Sequence, residues 1–486
     1  MKNKIYLLVF ALFIFVSCDD LLDVSSKGKY TTDTYFLDDQ SLIDAVTGIY
    51  GQFYDLDLAY PKWDICSDDI YRGGDHNFDP AIETFTFDAT NTQIMWYYQY
   101  SYEFAARANN ILTFAKDKDT FSTNIKKRSL GEAYFFRGFA YWLLYLAYGE
   151  VPLIKEEDVI NQNYNKAKAS LQEVLASIES DLKEAVNYLE ATEEPGRAHQ
   201  GSAYAFLTQL YIHWSCLKEL SESEQKAKLR AAIETGGHIV GNPLYKLTDT
   251  YLENFRQQIV GTTETLFYMS SGDFRGNQWL NYFNPRPMGG WGFWFPLEGF
   301  YKSYDPNDVR RSCTMVAIGE PLTSSGAPET IFESSTPTGY QAVKYLKVNN
   351  SGNRDMNLVI PLMRSADVYL LVAEAKIRLD GPGAGDAEIN AVRKRTGLGN
   401  VSNAGPADLM NERRWELGCE VRRHFDMVRW DKIDWVDIVS VYSSDEAMHP
   451  DDKPLRKFTR PKNYYFPLPQ AEIDKSKGVL IQNSAY

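Results

Sequence analysis

Paired carboxylates are the first residues in this chain that invite chemistry. Asp68-Asp69 and Glu156-Glu157 are such pairs, and two acids flanking a sugar bond are what glycoside hydrolysis requires. The required separation is spatial, however, and a chain with 65 acidic residues contains adjacent pairs through composition alone. The six histidines, at 76, 199, 213, 238, 424 and 449, show no metal-ligand spacing, so helix packing or surface positions account for them. HExxH, GxSxG and P-loop motifs are absent from the sequence. The run GPGAGD from Gly381 has the glycines of a dinucleotide loop, but it follows a helical pattern and not a strand; a helix-to-helix turn is expected there. The expectation is therefore a protein without catalysis, cofactor or metal.

Noncovalent chemistry is better provided for. Aromatic residues make up 14% of the chain, with 10 Trp, 32 Tyr and 26 Phe. Many stand in two Gly-rich stretches. PKWDICSDDIYRGGDHNFDP, from Pro61, holds Trp63, Tyr71, Arg72, Asp75, His76 and Asn77. GDFRGNQWLNYFNPRPMGGWGFWFPLEGFYKSYD, from Gly272, holds Trp279, Tyr282, Phe283, Trp291, Phe293 and Trp294. A large ring on such a loop either folds back on the core or stands out as a platform. Sugar rings present an apolar C–H face that stacks on aromatics, while Arg, Asp and Asn take the hydroxyls. The expected site has Trp291 and Tyr282, with Trp279 or Trp294 beside them, as a stacking face. Tyr71 lies near it, and Arg72, Asp75 and Asn77 close its polar side.

These loops need a scaffold, and the rest of the sequence predicts helices. NTQIMWYYQYSYEFAARANNILTFAK begins at Asn91, a good N-cap, and runs about seven turns without Gly or Pro. In GEAYFFRGFAYWLLYLAYGEVPLI, aromatic and apolar residues surround the helix, so it should be central and buried. ASLQEVLASIESDLKEAVNYL is amphipathic at 3.6-residue spacing. Further helices follow from Ser202 and Glu222, then in SADVYLLVAEAKIRL, DAEINAVRKRTG and ADLMNERRWELGCEVRRHFDMVRW. Helix pairs of this kind look like tetratricopeptide repeats. The expected fold is all-α dominated: a helical-pair core over about 91–240 and 361–432, with a loop-rich insertion over about 242–360, all within one body from 34 to 486.

The chain starts MKNKIYLLVFALFIFVSCDDLLD. A basic start and twelve apolar residues, Ile5 to Val16, are too short to span a membrane and describe a secretory signal peptide over residues 1–17. Cys18 then becomes the first mature residue, where bacterial lipoproteins are acylated, and residues 18–33 read as a flexible tether. The other cysteines, 66, 216, 313 and 419, are too scattered for a disulfide framework and serve as small apolar residues. A net charge of −14 argues against nucleic acid.

The C-terminal third carries a family resemblance. NERRWELGCEVRRHFDMVRWDKI resembles the ERRWEL…EG.R.FDLVRWG segment of the SusD/RagB family, and YYFPLPQAEIDKSKGVLIQNSAY resembles its YPIPQ.EI..NP.L.QNPGY ending. GEAYFFRGFAYWLLYLAYGEVPLI and YLLVAEAKIRL are similar to two of its helices. Cys419, Val421 and Arg422 lie where Phe, Gly and His are common. The resemblance implies a SusD-like fold and a surface lipoprotein of the outer membrane that binds an oligosaccharide. Such a protein serves as the lid of a SusC-like TonB-dependent transporter. By position, Trp291 and Tyr282 match two members of the family's aromatic arc, and Arg72 with the 71–77 loop lies near the rest. The competing reading is a TPR-like protein that binds or imports peptides.

Overall fold

The computed structural model describes residues 35–73, 79–270, 277–284, 286–322, 336–348, 355–450 and 456–486. Helices form where the apolar periodicity places them. α1 (Asp39–Gly51) and α2 (Phe53–Ala59) precede the long pair α3 (Thr92–Phe114) and α4 (Thr123–Tyr148). Asn91 caps α3, its side-chain oxygen accepting from the Gln93 and Ile94 N–H groups. Ser170 and Glu173 open α5 (Leu171–Tyr188) as a reciprocal capping box. α6 (Gln200–Trp214) and α7 (Glu222–Gly237) complete the run, and each helix from α3 to α7 packs on its sequence neighbour.

Helix α4 is the axis of the core. All its residues from Ser129 to Tyr148 are buried, as expected of a helix apolar on every side. Phe135, Phe136 and Phe139 meet Phe53 of α2, Phe104 of α3, Phe206 of α6 and Phe267 in a cluster of mostly edge-on or tilted rings. α5 lies so close to α4 that a Cβ on Gly131 would stand 2.9 Å from Leu189 and Tyr188, so only glycine fits. Arg137 of α4 and Asp181 of α5 form a buried two-pronged ion pair at 2.9 and 2.7 Å.

Between residues 242 and 360 the described residues form only short pieces. β1 (Ile70–Arg72), β2 (Thr265–Met269), β3 (Trp294–Pro296), β4 (Met315–Ala317), β5 (Tyr340–Ala342) and β6 (Ile360–Arg364) pair as three antiparallel two-stranded ladders. β2 with β6 ties this segment together at its base. β1 with β3 matters more for function. It sets Ile70 opposite Pro296, Tyr71 opposite Phe295 and Arg72 opposite Trp294, joining the two aromatic stretches that lie more than two hundred residues apart in sequence. One short helix in this segment, α8 (Trp279–Phe283), is held by Asp57 of α2, whose two carboxylate oxygens accept from the N–H groups of Gln278 and Trp279 at 2.6 Å each.

Helices resume with α9 (Ser365–Asp380), α10 (Asp386–Arg393), α11 (Pro406–Leu417), α12 (Arg423–Lys432) and α13 (Gln470–Lys475). GPGAGD is the turn between α9 and α10, as expected. The stretch ADLMNERRWELGCEVRRHFDMVRW is not one helix. Gly418 abuts the Phe300 ring, and Cys419 and Val421 take positive φ values of 63° and 58°. The four described cysteines are buried and form no disulfide with one another, in keeping with an apolar role. No described helix is long and apolar enough to cross a membrane.

A buried charge network clamps the 242–360 segment to α11. Arg364 donates to Glu264, Glu416 and Glu420, and Arg395 bridges Glu264 and Glu416. Arg310 reaches Asp308, Glu412 and Glu416, while Lys344 pairs with Glu420. Each acid thus has a cation, which is the condition for burying charge at all.

Asp64 is the exception. Its Oδ1 accepts from the Val421 N–H at 3.0 Å, and burial, reinforced by the neighbouring Asp69, pushes its pKa up to about 8. A carboxyl raised in this way contributes stability that is complete below its unfolded value of 3.8 and lost as pH rises through about 8. Asp64→Asn keeps an acceptor for Val421 without the ionisation. Its stability relative to the native chain should therefore climb between about pH 4 and pH 8, read as urea midpoints at both ends. A constant difference would contradict the assignment.

Candidate functional site

The ladder of β1 on β3 and the short helix α8 together shape one cleft. Ala59, Lys62, Gln93, Trp96, Tyr100, Tyr282, Trp291 and Phe293 line it, with a volume of about 440 Å³. Three backbone hydrogen bonds stitch the 291–293 strand end onto α8. The N–H of Trp291 donates to Asn281 (2.7 Å), that of Gly292 to Asn284 (3.1 Å) and that of Phe293 to Tyr282 (3.0 Å). Gly290 makes this possible, since a Cβ there would sit 1.9 Å from the Asn284 carbonyl oxygen.

The rings are arranged in two layers. Tyr282 lies stacked on Trp294, 4.0 Å between centroids and 7° between planes, and Trp291 stands edge-on to Tyr282 at 5.0 Å. Trp291 and Phe293 are half-buried and 5.6 Å apart. Across the cleft, α3 presents Trp96, 39% exposed, and one turn later the half-buried Tyr100. The upper layer, Trp96, Tyr100, Trp291 and Phe293, is accessible; the lower layer supports it.

A buried polar pair forms the floor. The Lys62 ammonium donates to Gln93 Oε1 and sits 5.8 Å from the Tyr282 ring centre. Lysine has only donors, so it fixes the Gln93 amide with its oxygen toward Lys62. The Gln93 Nε2 is then left buried with no acceptor among the described residues. An unsatisfied buried donor costs about 1–3 kcal/mol, which a hydroxyl oxygen would recover once a small shift of the lining side chains opens the amide to the cleft. Gln93→Glu retains a partner for Lys62 and deletes the donor. We expect it to weaken ligand binding by roughly 5–30-fold with the melting temperature held; unchanged affinity would show that the amide takes no part.

Several residues expected at the site lie elsewhere. Trp279 and Trp294 are both 0% exposed and offer no free face: α8 and β3 turn them into the core against Phe283. Tyr71 is also buried, stacked on His449 at 4.1 Å. Arg72 follows it on β1, where its Nε lies 3.3 Å from Glu83 and its N–H donates to the same carboxylate, and it does not line the cleft. Tyr282 does line it, though only 3% exposed. Asp75 and Asn77 lie outside the described residues, as does Cys18.

Comparison with known proteins fits this architecture. Residues 293–486 match the model of the SusD family, and residues 20–212 match a second model described as starch-binding and associating with the outer membrane. The chain belongs to the SusD family. Its fold is helix-dominated and shared with solved structures of that family. A SusD-like protein of Bacteroides ovatus is 24% identical over 459 residues, covering 88% of this chain and 83% of that protein. A laminarin-binding SusD-like protein superposes with a TM-score of 0.75 at 24% identity, over 92% of this chain and 99% of the other. Surface glycan-binding protein A from Bacteroides thetaiotaomicron, in complex with laminarihexaose, does so with 0.73 at 20% identity, over 92% and 100%.

In this SusD-family chain, Trp96, Tyr100, Lys62 and Gln93 escaped the sequence analysis. Their signal lies in the helix pattern. α3 buries Ile94, Tyr97, Tyr98, Ser101, Phe104 and Ala105, which leaves Trp96 and Tyr100, four residues apart, on the opposite face. A Trp and a Tyr on the polar face of an amphipathic helix call for a ligand or a partner.

Proposed function

We propose that this chain is a cell-surface lipoprotein that captures an oligosaccharide and hands it to a SusC-like TonB-dependent transporter, on which it sits as a lid. The observation that carries this reading is the row of accessible rings, Trp96, Tyr100, Trp291 and Phe293, above the buried Gln93 amide. Flat aromatics over an amide donor suit a pyranose, whose faces are apolar and whose rim is hydroxyl. The family and the laminarihexaose bound by a protein of the same fold support it. The cleft lining contains no carboxylate among the described residues, whereas glycoside cleavage uses two. Capture, on this reading, is binding without bond breaking. On this reading residues 1–17 are removed, Cys18 carries the acyl chains, 18–33 are the tether and 34–486 form a single body.

Whole cells test the proposal. Cells producing the full chain and offered fluorescent laminarin, xyloglucan and starch should retain at least one at the surface and return it at its original length. Cells with Cys18→Ala should lose that retention, the protein moving to the soluble fraction. Detergent extracts should bring down a TonB-dependent transporter with the full chain. Retention of none of the three, or recovery of shortened chains, contradicts capture without catalysis.

A further inference from the structure

A second, larger cleft borders the aromatic site. It holds about 1050 Å³ between α3, the connection from Pro152 to Lys166, and α13 with the residues that follow it to Leu480. That is more than twice the 440 Å³ of the first cleft. Tyr100 lines both, so the two adjoin across one helix. From Trp96 the same helix face runs through Tyr100, Glu103 and Arg107 to Asn110, a span of about 21 Å at 1.5 Å per residue.

The lining states what could lie there. Tyr98 and Tyr102 pack together at 4.7 Å on the α3 side, and Tyr164 stands on the opposite wall with 58% of its surface exposed. The side chain of Asn110, exposed on α3, has no hydrogen-bond partner among the described residues. The charges cancel. Lys166 is held by Asp158 at 2.8 Å, Lys475 by Glu472 at 2.8 Å, and Arg107 lies 3.6 Å from Glu103. A polyanion would require a net positive field, and a cation site a cluster of carboxylates free of cations. Rings and amides with little net charge fit a neutral saccharide instead.

We propose that this cleft receives the continuation of the chain whose first units stack on Trp96 and Trp291, so that the protein selects long neutral oligosaccharides over short ones. The inference rests on the aromatic cleft being the primary saccharide site. Joined sites raise affinity because the second engages at a high local concentration set by the first.

Size series prepared from laminarin, xyloglucan and starch provide the test, titrated against the intact mature protein and two variants. In the native chain, affinity should keep rising with length beyond the shortest fragment that binds. The double variant Tyr164→Ala with Asn110→Ala, both at exposed positions, should bind the longest fragments ~10-fold more weakly and the shortest as before. Unchanged long-chain affinity in that variant, a native affinity that stops rising at the shortest binder, or an equal loss at every length overturns the extension. Trp96→Ala separates the two claims. If it leaves short-fragment binding intact, the aromatic cleft is not the primary site and both readings fall. Both also fall if no series binds.

Discussion

Replacing Arg364 with alanine should lower the free energy of unfolding by about 3–5 kcal/mol, because breaking a buried ion pair strands the partner charge. The partners here are three. Glu264, Glu416 and Glu420 all lie within 3.0 Å of the Arg364 guanidinium, and the side chains of Arg364, Glu264 and Glu416 are wholly shielded from solvent. Arg395 would remain beside Glu264 and Glu416, Arg310 beside Glu416 and Lys344 beside Glu420, but these cations are already engaged, so the buried network is left one positive charge short. In the folded chain the guanidinium groups of Arg395 and Arg364 hold Glu264 and Glu416 below the usual carboxylate range, against the opposing effect of burial. Such depressed acids contribute stability above their unfolded pKa that is lost as pH falls. The gap between native and Arg364→Ala should accordingly narrow as the pH drops below about 4.5, where the stranded acids take up protons. Urea denaturation at neutral and acidic pH measures both. A loss below 1 kcal/mol at neutral pH would mean that the network does not clamp the 242–360 segment to α11.

Two tryptophans, Trp294 of β3 and Trp96 of α3, should behave in opposite ways. Trp294→Ala removes a ring that is 0% exposed, stacked on Tyr282 and edge-on to Phe283, and should cost about 3–5 kcal/mol of stability. Trp96→Ala removes a ring that stands 39% exposed on α3, where the helix is held by its other face. Its melting temperature should hold, while saccharide affinity falls roughly 30-fold, or about 2 kcal/mol, as for an aromatic anchor in a binding surface. Trp291 is intermediate, half-buried against Tyr282 and Phe293, and its truncation should draw on both quantities.

This contrast shows what the residue pattern could convey. The helices were legible because a 3.6-residue period survives in α5 and because α4 is apolar all round. The turn at GPGAGD was legible from its glycines, and the two aromatic stretches from their composition. Which ring turns outward was not, because β1 and α2 make that choice from far away in sequence. One local clue was available. Gly292 lies between Trp291 and Phe293 with a φ of 57°, a bend that glycine adopts readily, and both rings line the cleft while Trp294 is buried. On α3 the clue was fainter, since Met95, Trp96, Tyr97, Tyr98, Tyr100 and Tyr102 put large side chains all round the helix. Tyrosine suits both the core and the surface, so the inner and outer faces separate only when the packing is known. The break at Gly418 was hidden for a similar reason: Cys419 and Val421 adopt positive φ without being glycine.

The account stands or falls on whether the accessible layer of rings binds sugar. Calorimetric titration and thermal melting of Trp96→Ala, with the best-retained polysaccharide and the native chain beside it, decide this most directly. The expected result is a roughly 30-fold weaker saccharide affinity at an unchanged melting temperature. Native affinity in Trp96→Ala, or a loss of affinity matched by a large fall in melting temperature, would contradict it.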